Sequence, residues 1–374
     1  MNKIEKLLNE LCPNGVEFKS LGEVCEVVKG QQLNKNLLLE SGLYPVMNGG
    51  INPSGYWDTY NKNAQTITIS QGGASAGYVN FMQTPFWAGA HCYTIEKVVE
   101  FLNYKFVYYF LKNNQNNLIK SQYGAGIPAL NKTDIQTLQI PIPPLEIQEE
   151  IVKILDAFTE LEAELEADLE ARRRQYEYYR NKLLSFEYLK TNGVGYELKM
   201  LGEVCEIYDK LRKPVAKDKR VKGDYPYYGA NGIQDYVNNY LFEGEYLLIG
   251  EDGSVINKDN SPVLHFVNGK FWVNNHAHII QSKNHNLRFI YYALQCCNIF
   301  DLVKGTPPKL NQENLKIIQI PIPPLEVQEK IVSILDKFHA LTTDLQSGIP
   351  AEIEARKKQY EYYRNQLLTF KEAI

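Results

Sequence analysis

The sequence consists of two copies of one long unit, and this duplication limits the possible folds more than any other feature. Residues 139–158 recur as residues 319–338, with 16 of 20 positions identical. The segment 21–26 recurs 180 residues later at 201–206, and the segment 175–181 recurs 184 residues later at 359–365. Any fold for this chain must therefore contain two similar halves.

Each half has a diverged part and a nearly identical part. The diverged parts are residues 15–138 and 195–318, and the similar parts are 139–190 and 319–374. The diverged parts keep weak echoes, since Phe86-Trp87-x-x-x-His91 matches Phe271-Trp272-x-x-x-His276. Short apolar runs and a helical segment at 102–119 indicate mixed α and β structure. We expect the diverged parts to share a fold and to differ in surface.

The similar parts are predicted to be long helices. Prolines end any preceding strand, and apolar residues then recur in alternating steps of four and three, as in a coiled coil. Four extra residues in the second copy fall near Gly348 and Pro350, which predicts a kink or break there. We expect the two helices to pair antiparallel. The apolar positions are Ile147, Ile151, Ile154, Phe158, Leu161, Leu165, Leu169, Tyr176, Tyr179, Leu183 and Phe186, and then Val327, Ile331, Ile334, Phe338, Leu341, Leu345, Ile349, Ile353, Tyr360, Tyr363, Leu367 and Phe370.

The opening segment resembles the end of the first helical copy. Lys6-Leu7-Leu8 followed by Asn14-Gly15-Val16 is similar to Lys182-Leu183-Leu184 followed by Asn192-Gly193-Val194. This predicts that the opening segment stands in for the tail of a missing repeat helix, which would close the molecule into a pseudo-symmetric ring.

Composition is that of a soluble globular protein, with 44% hydrophobic and 22% charged residues and a net charge of −4. No apolar run reaches the roughly 20 residues that span a bilayer. The charged N-terminus does not fit a signal peptide. We therefore expect a cytoplasmic protein with no membrane partner. The six cysteines lack C-x-x-C spacing, which favours reduced, mostly buried thiols over a zinc site.

The motifs of enzymes are absent. No Pro-Pro pair is followed by Tyr or Phe, as an adenine methyltransferase motif requires, and there is no phosphate-binding G-x-x-x-x-G-K-[S/T] loop. His276 and His278 are possible metal ligands, but their alternation in a strand-like run favours a structural role. We predict no catalytic residues and no metal site, which argues against a nuclease or a fused methyltransferase.

The repeated motifs resemble those of type I restriction–modification specificity subunits. The resemblance is carried by Ile140-Pro-Ile-Pro-Pro-Leu-Glu-x-Gln148, Gln175-Tyr-Glu-Tyr-Tyr-Arg180 and Leu21-Gly-Glu-Val24, each present twice. It implies a non-catalytic chain whose two diverged domains each read half of a split, asymmetric DNA site. It also implies docking of two methylation subunits, with restriction subunits as further partners. S-adenosylmethionine, ATP and magnesium would belong to those partners, so no cofactor is expected here.

The predicted fold class is α+β, with two mixed α/β target-recognition domains separated by two long antiparallel coiled-coil helices in a pseudo-twofold repeat. We expect target-recognition domain 1 at 1–140, with an N-terminal helix at 1–12, and spacer helix 1 at 141–190. Target-recognition domain 2 follows at 191–320, and spacer helix 2 at 321–374.

Both diverged domains are nearly neutral, so DNA contacts must come from local patches. A basic loop in domain 2 corresponds to an amide-rich segment in domain 1, and amides can pair with adenine. Glycine-rich loops and polar residues near them are further candidates. A solvated charged loop and plain hairpin turns are the alternatives, and 48–50 and 231–232 are typical of turns. The predicted DNA-binding residues are Gln31, Gln32, Asn34, Lys35, Ser70, Gln71, Gly72, Gly73, Ser75, His91 and Tyr123, with Lys210, Arg212, Lys213, Lys217, Lys219, Arg220, Asp252, Ser254, Asn274, Asn275, His276 and Lys304.

The second duplicated helix motif is the predicted docking surface for partner subunits. Its residues are Gln175, Tyr176, Tyr178, Tyr179 and Arg180 with Gln359, Tyr360, Tyr362, Tyr363 and Arg364. A coiled-coil scaffold without base readout is the alternative function, and a gel shift on random DNA would separate the two.

The helices also predict a spacing rule, because a rod of set length between two DNA readers fixes the gap between half-sites. Inserting four residues at Ala167 should lengthen the helix by roughly 6 Å. We expect the recognised gap to grow by about one or two base pairs at 3.4 Å each. Mapping the recognised site of the insertion variant tests this, and an unchanged gap would contradict the rule.

Overall fold

The computed structural model describes residues 2–124, 126, 128–191, 195–344 and 346–373, apart from the side chains of Asn2, Phe186 and Thr191. The chain divides into two compact units. Unit 1 is Met1–Glu166 with Ile353–Ile374, and unit 2 is Ala167–Glu352. Each unit therefore combines one diverged segment with a part of each repeated helical segment.

Unit 1 packs short helices on small sheets. Its sheets have the strand orders β1-β9, β2-β8-β5-β6 and β4-β3-β7. Its described helices are α1 Asn2–Leu11, α2 Leu21–Val24, α3 Tyr104–Asn113, α4 Gln115–Lys120, α5 Lys132–Gln136 and the first part of α6 Leu145–Leu183. Its described strands are β1 Glu17–Ser20, β2 Glu26–Lys29, β3 Tyr44–Met47, β4 Tyr56–Trp57, β5 Thr66–Ser70, β6 Val79–Met82, β7 Trp87–Ala88, β8 Cys92–Glu96 and β9 Gln139–Ile142.

Unit 2 has the same plan with longer strands. Its sheets have the orders β10-β17 and β11-β16-β14-β15-β12-β13. Its described helices are the rest of α6, α7 Phe186–Thr191, α8 Leu201–Val204, α9 Leu287–Leu294, α10 Gln312–Lys316, α11 Leu325–Thr343 and the start of α12 Ile349–Leu367, whose remainder belongs to unit 1. Its described strands are β10 Glu197–Met200, β11 Cys205–Ile207, β12 Lys222–Gly229, β13 Gly232–Val237, β14 Phe242–Gly250, β15 Leu264–Val273, β16 Ala277–Ser282 and β17 Gln319–Ile322.

The sheets of the two units have corresponding strand orders. In each unit one pair is parallel, β3 with β7 and β12 with β15. The ten-residue β15 covers the stretch that is split into β6 and β7 in unit 1, so unit 2 has one six-stranded sheet. The predicted pair of similar mixed domains is confirmed.

The core of each unit forms where apolar strands meet one helix. Ile67, Ile69 and Ile95 alternate with polar residues on β5 and β8 and are almost fully buried. Asn103 is the N-cap of helix α3, and its side chain accepts hydrogen bonds from two backbone N–H groups of the first turn. Its buried Phe106 belongs to the same apolar cluster as those three isoleucines.

A buried glutamine explains the repeated Pro-Pro-Leu-Glu-x-Gln motif. Gln148 is fully buried, and its Oε1 accepts a hydrogen bond from the backbone N–H of Asn103 at 2.7 Å. Its Nε2 donates to the carbonyls of Phe101 at 3.0 Å and Pro143 at 2.7 Å. The glutamine thus ties the first turn of α6 to the N-cap of α3.

Gln328 repeats this arrangement in unit 2. It is also fully buried, accepts from the backbone N–H of Asn286 at 3.0 Å and donates to the Pro323 carbonyl at 2.8 Å. Asn286 is the N-cap of α9. In each unit, therefore, the repeated segment is bonded to the helix that packs on the diverged sheet.

The helical segments pack antiparallel within each unit, as predicted. In unit 1, Phe158 stacks on Tyr363 at 5.5 Å between ring centroids, whereas Glu166, later on α6, pairs with the earlier Lys357 at 3.1 Å. In unit 2, Tyr179 stacks on Phe338 at 5.5 Å. The first spacer is one helix of 39 residues.

The second spacer is interrupted, which confirms the predicted break. Helix α11 ends at Thr343, and α12 begins at Ile349. The Asp344 carboxylate accepts a hydrogen bond from the backbone N–H of Gln346 at 2.7 Å. Gly348 is required because a Cβ there would lie 2.7 Å from the carbonyl oxygens of Ala340 and Asp344.

The predicted apolar stripe is wrong at two positions. Ile334 is 42% exposed and Leu341 is 39% exposed, whereas Leu155 and Leu335 are fully buried. Near their starts the helices bury residues in steps of four, such as Ile147, Ile151 and Leu155, because they pack on a domain core as well as on a helix. Leu345 and the side chain of Phe186 lie outside the described residues.

The N-terminal helix shares a core with the end of α12 in unit 1. Ile4 belongs to the same core cluster as Leu367 and Leu368. The backbone N–H of Val16 donates to the Lys371 carbonyl at 2.9 Å, so the two chain ends are hydrogen-bonded. Residues 192–194, used in that comparison, lie outside the described residues.

The cysteines are less buried than we expected, since Cys12 and Cys297 are only partly buried and Cys296 is exposed. All six cysteines are free, and Cys25, Cys92 and Cys205 are buried. Burial raises the pKa of each of these three thiols to about 12. None of the helices in the described part of the chain has the length and apolar character needed to cross a bilayer.

Replacing Gln148 with alanine should destabilise unit 1 by about 3 kcal/mol, because three buried backbone groups lose their partners. Denaturant unfolding of the whole chain measures this, with Glu149→Ala as the matched control on the exposed face of the same turn. Equal midpoints for the two variants would contradict the assigned role.

Candidate nucleic-acid interface

Three loops of unit 1 that carry predicted DNA-binding residues are joined by backbone hydrogen bonds. The N–H of Gln71 donates to the His91 carbonyl at 2.8 Å, and the Gln71 carbonyl accepts from Leu130 N–H at 2.8 Å. The N–H of Gly73 donates to the Pro128 carbonyl at 2.9 Å. The glycine-rich loop, the His91 loop and the 123–130 loop therefore form one cluster.

Unit 2 forms the same cluster with the same bonds. The N–H of Glu251 donates to the His276 carbonyl at 2.9 Å, and its carbonyl accepts from Leu310 N–H at 2.9 Å. The N–H of Gly253 donates to the Pro308 carbonyl at 3.0 Å. The backbone framework is thus kept although the residues along it differ.

A tryptophan attaches a fourth segment to each cluster. The Trp87 indole Nε1 donates to the Gln31 carbonyl at 3.1 Å, and the Trp272 Nε1 donates to the Lys213 carbonyl at 2.6 Å. The residues before them, Phe86 and Phe271, are fully buried in the core. This explains the shared Phe-Trp-x-x-x-His motif. The Phe side chain anchors the strand in the core, the Trp side chain holds the fourth segment, and the His residue begins the loop.

Most of the predicted DNA-binding residues are accessible in these clusters. Tyr123 is 50% exposed, and its backbone pairs with Ala129 at 2.9 Å in both directions. A pocket of about 290 Å³ in unit 2 lies between residues 214–220 and 274–276. The exposed candidates are Gln31, Gln32, Asn34, Lys35, His91 and Tyr123 in unit 1, and Lys210, Lys213, Lys217, Lys219, Asn275, His276 and Lys304 in unit 2. The partly exposed candidates are Gln71, Gly72, Gly73, Ser75, Asp252 and Ser254.

Four predicted DNA-binding residues are instead used inside the protein, which corrects our expectation for them. Ser70 and Asn274 are only 6% and 4% exposed. The Asn274 side chain accepts from His276 N–H at 2.8 Å and donates to Gln234 at 3.2 Å. Its polar atoms hold the loop that carries its neighbours.

The two arginines of the basic loop also face inward. Arg220 lies 4.2 Å from the ring centroid of Tyr227 and pairs with Asp235 at 3.3 Å. A backbone hydrogen bond from Tyr236 and the pairing with Arg220 hold the pKa of Asp235 below its ordinary value. The Arg212 side chain is only 12% exposed and donates to backbone carbonyls and carboxylates. Among the basic side chains of this loop, the lysines are the ones that are exposed.

The turn 48–50 joins the cluster of unit 1, which our sequence analysis missed. The Asn48 Oδ1 accepts from His91 N–H at 3.0 Å. A Cβ on Gly49 would lie 2.3 Å from the Gly72 carbonyl oxygen, so this close approach requires glycine. Asn-Gly-Gly indicates a turn, but nothing in the sequence indicates what the turn packs against.

The duplicated motif at 175–180 and 359–364 is mostly turned toward the core. Tyr176 donates to Gln295 at 3.0 Å, and burial raises the pKa of Tyr176 to about 12. Arg180 also contacts Gln295, at 3.3 Å, and Arg364 contacts Asn113 at 3.1 Å. These predicted docking residues therefore attach the helices to their own units, and Tyr179, Tyr360 and Tyr363 pack against the same cores. Gln175 and Gln359 are partly buried, and each accepts a hydrogen bond from an arginine of its own helix.

Tyr178 and Tyr362 are the exceptions in this motif. They are 58% and 57% exposed at equivalent positions of the two copies. Their rings contact the neighbouring Tyr179 and Tyr363 edge-on, at 5.3 and 5.4 Å between centroids. The chain thus presents the same aromatic surface twice.

Comparison with known proteins agrees with this duplicated organisation. The family described as "Type I restriction modification DNA specificity domain" matches residues 13–171 and again 193–355. A type I restriction enzyme specificity subunit of Haemophilus influenzae is 46% identical over 98% of both chains. The EcoR124I/EcoR124II specificity subunit of Escherichia coli is 32% identical over 71% of this chain and 70% of its own.

A solved structure shares the fold. The type I restriction–modification S subunit from M. genitalium superimposes with a TM-score of 0.62 at 22% identity, covering 94% of this chain and 95% of that one. Two family matches cover most of the sequence, and the H. influenzae relative is similar along nearly its whole length. The chain therefore belongs to the type I restriction–modification DNA specificity family.

Proposed function

We propose that each unit reads one half of a split, asymmetric DNA site and that the chain itself performs no chemistry. The observation that carries this proposal is the shared loop framework. Both units bring the same four segments together through equivalent hydrogen bonds, while the side chains on these segments differ. A backbone framework that is the same in both units, with different side chains on its loops, suits domains that dock on DNA in the same way but read different sequences.

The exposed side chains of the two loop clusters differ in chemistry. In unit 2 the fourth segment, held by Trp272, exposes four lysines that suit phosphate contacts: Lys210, Lys213, Lys217 and Lys219. The corresponding segment of unit 1 exposes amides, including those of Gln31 and Gln32, which can pair with adenine N6 and N7 in the major groove. Because the exposed side chains differ between the units, we expect the two half-sites to differ and the target to be asymmetric.

The partners that follow are double-stranded DNA, two methylation subunits and restriction subunits, in the cytoplasm. S-adenosylmethionine, ATP and magnesium would be held by those partners, which would transfer the methyl group and cut DNA. Membership in a family of specificity subunits supports the absence of catalysis in this chain. The duplicated Tyr178 and Tyr362 surface supports two docking sites of one kind.

The direct test is co-expression with the methylation subunit encoded beside it, followed by mapping of N6-methyladenine across the host DNA. We expect methylation of one split motif, lost when this chain is omitted. Methylation unaffected by the omission would favour a scaffold without base readout.

A charge variant tests whether the basic loop itself contacts DNA. Lys217→Ala combined with Lys219→Ala should weaken DNA binding by the purified complex and lower the slope of log K against log salt by about 2. Lys258→Ala, an exposed lysine outside the four segments, is the matched control. Equal slopes for both variants would remove this loop from the interface.

The two exposed tyrosines predict how many methylation subunits bind to the chain. Tyr178→Ala or Tyr362→Ala should each weaken one methylation-subunit contact by about 2 kcal/mol, the range of an aromatic hot spot. Native mass spectrometry should then show complexes with one methylation subunit, and the double variant should have none.

Tyr236→Ala, which removes another half-exposed tyrosine, should keep two methylation subunits. If the double variant also keeps two, the surface around Tyr178 and Tyr362 is not the docking site.

A further inference from the structure

A buried ion network lies directly beneath the loop cluster of unit 2. His278 on β16 is 1% exposed. Its Nδ1 lies 2.6 Å from the Asp209 Oδ2, and its Nε2 lies 2.8 Å from the Leu310 carbonyl oxygen. Leu310 follows directly on the loop that carries Lys304 and Lys309, and Asp209 begins the basic segment.

His278 is held by oxygens on both sides of its ring, since its two nitrogens face the Asp209 carboxylate and the Leu310 carbonyl. Burial alone would raise the pKa of Asp209, but the hydrogen bond with His278 and the charges of His278 and Arg212 hold it below its ordinary value. Asp209 is therefore a buried carboxylate that depends on these two partners.

Arg212 extends the network to the remaining segments. It donates to the Glu251 carboxylate, to the Ala277 carbonyl at 2.7 Å and to the Asp209 carbonyl at 3.0 Å. Glu251 also pairs with Lys309 at 3.6 Å. The four segments that form the candidate interface of this unit are thus linked by charged groups as well as by backbone bonds.

A metal site is the competing interpretation, because Asp209, Glu251 and His278 offer ligand atoms within 4.8 Å of one another. However, the Arg212 guanidinium contacts both carboxylates and already opposes their charge. The 2.6 Å separation of Nδ1 and Oδ2 is that of a hydrogen bond. Two ligand atoms on one zinc ion would be roughly 3.3 Å apart. The geometry favours an ion network.

Unit 1 makes the same link without charges. Tyr93, at the position of His278, donates its hydroxyl to the Leu130 carbonyl at 3.3 Å. Gln71, which carries no charge, stands in place of Glu251. Lys29, which corresponds to Asp209, is exposed. The two loop clusters therefore share a backbone framework but differ in how it is anchored.

We propose that His278 is a positioning residue for the half-site read by unit 2, through an ionic anchor that unit 1 lacks. Resting on the proposed function, this inference assigns base selectivity in one half of the target to residues that do not touch DNA. Loss of the His278 ring frees the Leu310 carbonyl and removes a 2.6 Å contact of the Asp209 carboxylate. The loops of unit 2 then lose their fixed spacing, and those of unit 1 do not.

The test compares methylated motifs rather than activity alone. His278→Gln and Asp209→Asn are each co-expressed with the methylation subunit, and N6-methyladenine is mapped across the host DNA. We expect discrimination against wrong bases to fall by about 10- to 100-fold in one half of the motif, the range for a lost hydrogen bond to a charged group. The other half of the motif should be unchanged.

Tyr93→Phe is the matched control in unit 1, and it should lower discrimination only in the opposite half, by less than about tenfold. Thermal unfolding of each complex separates positioning from folding, and the near-isosteric Asp209→Asn is the variant expected to fold normally. Equal loss in both halves, an unchanged motif in a folded variant, or failure of both variants to fold would each overturn the proposal. If the wild-type complex yields no split motif, the proposed function itself fails.

Discussion

Two buried glutamines hold the repeated helices to the domains that diverge. Gln148 and Gln328 are fully enclosed, and each satisfies its amide with backbone groups from both segments. A buried amide that lost these partners would carry an unpaid desolvation cost, so the position admits few other residues. The prolines before them end a strand and aim the helix, and the glutamine fixes the N-cap of the domain helix. This junction lets the loops beyond it vary without changing how the domain is attached.

The same logic continues outward from the core. The core of each unit is filled by a phenylalanine, Phe86 or Phe271. The tryptophan that follows, Trp87 or Trp272, holds the fourth segment through a backbone carbonyl. The side chains of that segment are therefore free to differ. Because the clamps act on backbone atoms, the side chains of Gln31 and Lys213 do not affect them. A recognition surface can therefore change from amide-rich to lysine-rich on an unchanged support.

The duplication made much of this organisation predictable. Repeats, heptads and the Gly-Pro break indicated two mixed domains, antiparallel helices and an interrupted second helix. Exposure was harder to predict, because it depends on contacts distant in sequence. Arg212 and Arg220 lie in a basic loop, yet both are paired with carboxylates across the fold. Tyr176 and Tyr178 belong to one motif, but helical geometry turns the first inward and the second outward. The role of Asn48 depends on His91, and no local pattern links the two.

The arrangement of charge also resolves the apparent conflict between a net charge of −4 and DNA binding. The acidic residues of the first repeated segment lie mainly on the long α6 helix, where Glu162 and Glu166 pair with Lys357. In unit 2 the buried acidic groups beneath the loops, Asp209 and Glu251, both contact Arg212. The loops themselves carry two further acidic residues, the exposed Asp218 and the partly exposed Asp252. The buried carboxylates are thus paired inside the protein and leave the exposed lysines of the basic loop available. Since phosphate attraction falls off within roughly 10 Å at moderate salt, we expect this local balance, and not the total charge, to govern DNA affinity.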